Sequence, residues 1–372
     1  MKCTISAMCF LLIFLSGKTQ PHPSLARLPS VTIHLKKSEG AIVASPFSHF
    51  EVIDDRTDTA RIGIHAFIPT LGGGIHNRQL VFQHPAAREI AAWLNDHFTR
   101  PDGPYTALII LRNLWLSDAN YLREDKVKDP SIVAERTHIR LKTEIYAIKD
   151  SQYIPLVRFD TLQTYKRSNT YSDMNTYYSL WDRDLTGMLS DMADSAAGIA
   201  AARADNGRRI RLDDILQFNR SRFDAPITGT TSPSPGVYAN FDEFRNNAPS
   251  IRDFEVRRIN KDLTLYIKDG NGAFYYSHDA WGYCDGKDIY IMRDGILLMV
   301  WKEGKAYYFM SEAYKEQANN NQVYTPGSPP INAPNGAVIP GSPGYWSPAG
   351  PPLFTSNTQR IYTVDMDSGH IY

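Results

Sequence analysis

Cysteine is nearly absent from this sequence. There are three in 372 residues, and two of them, Cys3 and Cys9, fall in the first nineteen residues. If that segment is removed, only Cys284 remains, and a single thiol cannot form an internal disulfide. Stability must then come from a packed core. Cys284 is expected to be a small buried hydrophobe in a strand, since no spaced His or acid suggests an activated nucleophile.

Net charge is also absent. Forty basic residues balance forty acidic ones, and no basic run stands out. This gives no electrostatic basis for nucleic acid as a partner. Metal and nucleophile signatures are missing as well. There is no His-Glu-x-x-His, no Cys-x-x-Cys and no Gly-x-Ser-x-Gly, and the ten histidines are scattered singly. The run Leu71-Gly72-Gly73-Gly74-Ile75 lacks the Lys-Ser or Lys-Thr of a phosphate loop and is expected to be a flexible loop. No cofactor pattern is present.

No apolar run is long enough to span a bilayer, which takes ~20 residues. The first nineteen residues instead read as an export signal. Lys2 supplies the charge, Ile5 to Leu15 the apolar stretch, and Ser16, Gly17 and Thr19 the small residues before a cut after Thr19. A cut after Gly17 is the alternative. Lys18 stands where a lipid-bearing Cys would follow Leu15-Ser16-Gly17, so no lipid anchor is expected. The expected location is the periplasm or the exterior.

Hydrophobic residues make up 42% of the chain, enough for a core in each of two domains. The expected fold class is α+β: an N-terminal mixed sheet with packed helices at 31–226, then a mainly antiparallel β meander at 236–372. Strands are expected at Val31 to Leu35, Phe50 to Ile53, Arg61 to Phe67, Tyr105 to Leu116, Thr137 to Ile148 and Tyr153 to Phe159. Ile139, Leu141, Thr143, Ile145 and Ala147 alternate onto one face. The stripe Ala87, Ile90, Ala91, Leu94 and Phe98 after Pro85 predicts one helix. Leu185, Met188, Leu189, Met192, Ala196 and Ile199 predict another over 182–204, and 211–218 a third. Thr, Ser, Pro and Gly over 227–235 suggest a linker.

The second region is built around turns. Asp269-Gly270, Asp285-Gly286, Asp294-Gly295 and Glu303-Gly304 separate apolar and aromatic runs, the last three at nine-residue spacing. Gly takes positive φ without strain, so each pair predicts a hairpin turn. A Pro-rich stretch at 318–352 holds nine prolines and five glycines between Pro326 and Pro352 and is expected to loop out as a disordered insertion. The alternating run Ile361 to Met366 and the end at His370 to Tyr372 are expected to rejoin the sheet.

Within this region lies Trp281-Gly282-Tyr283-Cys284-Asp285-Gly286. Strand alternation puts Trp281 and Tyr283 on one face, with Gly282 and Cys284 on the other. Most aromatics here are expected in the core. Any left outside, with Trp281, Tyr283 and Asp285 as candidates, would form a binding face for a protein, peptide or glycan.

The motifs Phe241-x-x-Phe244-x-x-Asn247-x-Pro249, Ala280 to Gly286 and Tyr362 to Tyr372 give this region its family likeness. It resembles a module of uncharacterised secreted proteins from the envelope of Gram-negative bacteria, over about a third of the chain. That resemblance implies a place in the envelope and no particular chemistry. Through Val52-Ile53-Asp54-Asp55-Arg56 and its order of elements, the first region is similar to periplasmic auxiliary proteins. The expected function is therefore binding to an unknown protein, peptide or glycan of the envelope, without catalysis. The alternatives are a secreted hydrolase whose carboxylate pair is formed only by the fold, and a structural or assembly component.

Overall fold

The computed structural model describes residues 24–36, 45–67, 76–118, 136–166, 174–260, 262–293, 295–312 and 359–372, with four short strands between 322 and 348. The stretch expected to be an export signal, the glycine run at 71–75 and most of the polar stretch at 117–135 lie outside the described residues.

The fold is α+β, with a mixed sheet first and antiparallel sheets after it. In the first region β1 (Ser30–Thr32), β2 (Phe47–Asp54), β3 (Gly63–Phe67), β4 (His76–Val81), α1 (Ala86–Phe98), β5 (Tyr105–Asp118), β6 (Arg136–Lys149) and β7 (Gln152–Lys166) precede α2 (Met174–Arg203) and α3 (Leu212–Phe223). The strands form one seven-stranded sheet, ordered β1-β4-β3-β5-β6-β7, with β2 parallel to β5. Apolar residues of β5 are buried on both faces, in keeping with the Leu- and Ile-rich run from Tyr105 to Leu116. The alternating residues Ile139, Leu141, Ile145 and Ala147 join Ile90, Leu94, Leu185 and Met192 in one core, so both long helices cover the same face.

Two strands depart from expectation. β4 is too polar (His-Asn-Arg-Gln) to show apolar alternation, and it forms by pairing between β1 and β3. β7 runs seven residues past Phe159, because β6 offers a partner along its whole length.

In the second region come α4 (Pro226–Gly229), β8 (Gly236–Tyr238), α5 (Phe241–Arg245), β9 (Phe254–Ile259), β10 (Asp262–Lys268), β11 (Phe274–Ser277), β12 (Gly282–Cys284), β13 (Ile289–Arg293), β14 (Ile296–Glu303) and β15 (Ala306–Glu312). Within the Pro-rich stretch, β16 (Gln322–Thr325) pairs β19 (Tyr345–Pro348) and β17 (Ile331–Asn332) pairs β18 (Val338–Ile339); the remainder of that stretch is outside the described residues. β20 (Gln359–Val364) returns to pair with β15.

The meander is split. β8, β12, β13, β14, β15 and β20 make a six-stranded sheet, while β9, β10 and β11 make a separate three-stranded one. Leu265 and Ile267 of β10 pack with Met292, Leu297, Val237 and Ala280 between the two sheets. Gly286, Gly295 and Gly304 all have positive φ, as the acidic-Gly pairs predict. At the β10–β11 turn that role falls to Gly272, φ +86°, instead of Gly270, because the Asp269 carboxylate accepts the N–H groups of Asn271 and Ala273 and lengthens the turn.

The stretch expected as a linker is partly core. Ile227 is fully buried with Phe244, Tyr307 and Phe309, and its carbonyl accepts the Tyr307 hydroxyl at 2.7 Å. A single Ile among Ser, Thr and Pro leaves no periodic trace, yet it fills a slot beside the six-stranded sheet.

The two regions meet through Leu25, Ile64 and Trp115 on one side and Trp301, Tyr308, Ile361 and Tyr372 on the other. A charged cluster reinforces this seam. Arg61 donates to Asp58 at 2.9 Å, to Glu303 at 3.2 Å and to the Tyr308 hydroxyl at 3.3 Å, and Tyr308 donates to Asp58. Burial works against the Arg61 charge, but Asp58, Tyr308 and Glu303 outweigh it and raise its pKa. Burial beside Asp58 pushes the Tyr308 phenol far up, so it stays a donor. Asn77 of β4 accepts the Ile361 N–H at 3.2 Å and donates to the Gln359 carbonyl at 2.9 Å.

Candidate functional site

Trp281, Tyr283 and Asp285 do not gather on one surface. Trp281 stacks on Phe244 with ring centroids 4.0 Å apart and packs into the core that holds Cys284. Tyr283 lies across the sheet, stacked on Tyr290 at 5.5 Å and edge-on to Phe254 at 5.2 Å. The two side chains therefore occupy different faces, contrary to simple alternation. The reason is local: Gly282 pairs with Tyr238, and the Trp281 N–H also bonds the Tyr238 carbonyl, at 3.0 Å. Two residues opposite one is the count of a β-bulge, which turns Trp281 out of step.

Gly282 is required where it stands. A Cβ there would come 2.3 Å from the Tyr290 carbonyl oxygen. Asp285 serves the turn, its carboxylate accepting the N–H groups of Lys287 at 2.8 Å and Asp288 at 2.7 Å. Burial raises the Cys284 thiol, and the Gly286 N–H bonds its sulfur at 3.2 Å. This is the buried, inert cysteine the sequence implies. Burial, with Asp285 nearby, pushes the Tyr283 phenol up to about 12.

The exposed aromatics are elsewhere. Among the described residues, five large hydrophobics are exposed, and three of them are consecutive: Phe274, Tyr275 and Tyr276. They form most of β11, which is an edge of the three-stranded sheet. Successive side chains on a strand point to opposite faces, so these three straddle the edge. Tyr276 and Tyr266 are cross-strand partners with rings 6.0 Å apart, and the Arg257 guanidinium lies 4.1 Å over Tyr266. Glu255 anchors Arg257 at 2.7 Å. The Tyr276 hydroxyl donates to the Gly295 carbonyl at 2.7 Å, which ties β11 to the β13–β14 turn. A Cβ on Gly295 would strike that hydroxyl at 2.0 Å.

The run Ala273 to Tyr276 is legible as a strand, but its place at an edge is set by pairing and leaves no sequence mark. The sequence offers only one hint. Ser277-His278-Asp279 follows directly, so the strand is short.

A groove of about 500 Å³ opens on the first sheet between β6, β7 and the start of α3. Its apolar wall includes Leu156, Val157, Ile210 and Ile215, and Glu144 is buried in it. Glu144 accepts the Tyr146 hydroxyl at 3.2 Å and ion-pairs with Arg112 at 3.4 Å and Arg158 at 3.3 Å. Burial beside Glu144 pushes the Tyr146 phenol up to about 12. Arg112 also ion-pairs with Asp55, so Glu144 is an acceptor in a cluster of two acids and two bases. Asp214 also lines the groove. No His, Cys, Asp and Glu grouping among the described residues could hold a metal ion, and no described helix is long and apolar enough to cross a membrane.

Fold and site define an α+β protein with an aromatic strand edge. No family model and no curated protein matches the chain. Among solved structures, a Xanthomonas campestris protein of family DUF330 aligns with 48% of this chain and 99% of its own, at 11% identity and a TM-score of 0.30. No argument about fold or function follows from so slight a likeness.

Proposed function

We infer that this is an exported, non-enzymatic protein of the cell envelope that binds an extended peptide segment along β11. The observation that carries this reading is the concentration of Phe274, Tyr275 and Tyr276 on an edge strand that pairs on one side only among the described residues. Native edges are usually blunted by charge or Pro, because their open N–H and C=O groups recruit other strands. β11 is short, but it is aromatic instead of charged. An added strand would take main-chain hydrogen bonds from the edge and side-chain contacts from aromatics on both faces. Export rests on the N-terminal pattern from Lys2 to Thr19.

The test is binding of the mature protein to arrays of short random-sequence peptides and to arrays of glycans. Peptide binding that disappears in the double variant Phe274→Ser, Tyr275→Ser supports the reading. Binding to glycans alone, or peptide binding that survives the double variant, overturns it.

A further inference from the structure

We propose that β7 pairs with β7 of a second copy of this chain, antiparallel and centred on Phe159, joining two first-region sheets into one. β7 is fifteen residues long and ends the seven-stranded sheet. Strands average ~5–6 residues, and edges are normally shorter still. Tyr153 at one end is closed by bonds in both directions with Ile210, and Pro155, which has no N–H, follows it. A bulge separates these from the rest, since β6 pairs Tyr146 with Pro155 and Ile145 with Val157. From Val157 onward the strand is regular, and no described strand is bridged to its outer side.

Charge selects both the partner and the register. Arg158 and Asp160 share a face, with side chains 51% and 48% exposed. Between two antiparallel copies centred on Phe159, Arg158 of each lies opposite Asp160 of the other, so the same ion pair forms twice. Opposite charges directly across a strand pair stabilise it, and like charges destabilise it. Centring on residue 158 would set Arg158 against itself, and centring on 160 would set Asp160 against itself. The Phe159 register also places Val157 opposite Thr161. Within one chain Arg158 pairs with Glu144 and Asp160 with Arg140 at 2.5 Å, so the dimer would extend an existing ion network. A two-fold axis through Phe159 makes the contact self-complementary and closed, which a dimer requires.

The experiment uses the mature chain and two charge variants. Arg158→Asp carries acids at both positions, and Asp160→Arg carries bases at both. Each should repel its own copy and attract the other. Light scattering should show a wild-type dimer that dissociates on dilution. Each variant alone should associate at least about tenfold more weakly, and their mixture should regain wild-type association. Circular dichroism checks that both variants fold. If either does not, Phe159→Cys in the otherwise unaltered chain decides, because Cys284 is buried and does not compete. Mild oxidation should link Phe159→Cys to itself and leave Leu162→Cys, which is offset from its own symmetry mate, unlinked. A wild-type monomer at every concentration, a mixture no better than its components, or equal linking of both cysteine variants overturns the proposal.

Discussion

Trp281 and Tyr283 are two residues apart and pack in different cores, Trp281 on Phe244 at 4.0 Å and Tyr283 on Tyr290 at 5.5 Å. The bulge at Tyr238 separates them. Each ring joins a different layer of the second region, so the hexapeptide holds layers together on both sides of one strand.

Trp281→Ala should destabilise the protein by about 3 kcal/mol, near the lower end for loss of a packed Trp, because the indole is half-buried. Urea unfolding measures this. An unchanged midpoint would mean that the stack on Phe244 contributes nothing.

Gly282→Ala should cost about 1–3 kcal/mol, since the new methyl would meet backbone at the Tyr290 carbonyl and cannot be relieved by a side-chain turn. Gly270→Ala, where a Cβ meets nothing within 4 Å, should be close to neutral. Equal effects in urea unfolding would contradict the account of the bulge.

These two glycines mark how far the sequence could be read. Acidic-Gly pairs located the turns at Gly286, Gly295 and Gly304 because positive φ leaves a residue signature. Helical stripes located α1 and α2, and the Ile139 to Ala147 alternation located a core face. The bulge, the division into two sheets and the burial of Ile227 depend on which strand lies beside which, and no local pattern encodes that. The same holds for the site. Trp281, Tyr283 and Asp285 stand out as a motif, whereas the exposure of Phe274, Tyr275 and Tyr276 follows from the edge position of β11.

Asp182 gives a pH-dependent prediction. It is buried, its pKa is raised by desolvation, and its carboxylate accepts the His34 N–H at 3.0 Å. A carboxyl with a raised folded pKa adds stability below its unfolded value, and that stability is lost as pH rises through the folded value. Asp182→Asn keeps the acceptor and removes the charge. It should therefore be more stable than wild type near neutral pH, with the difference vanishing below the ordinary carboxyl value of 3.8. Urea unfolding across this range checks it, and a gap that widens in acid would contradict the sign.

Tyr308→Phe should destabilise the seam by about 1–3 kcal/mol, since it leaves Asp58 and Arg61 without the phenol that bonds both. The loss should be accompanied by easier proteolysis at the contact between the regions. Unfolding with an unaltered midpoint would show that Arg61 alone satisfies Asp58.

The central claim is that β11 accepts an extended peptide, and amide hydrogen exchange tests it most directly. Peptides selected on the protein from a random-sequence display library should slow exchange at the outward-facing amides of Phe274–Ser277. They should leave the amides of β13, inside the six-stranded sheet, unchanged. Selected peptides that bind tightly yet leave β11 exchanging at its free rate would contradict the account.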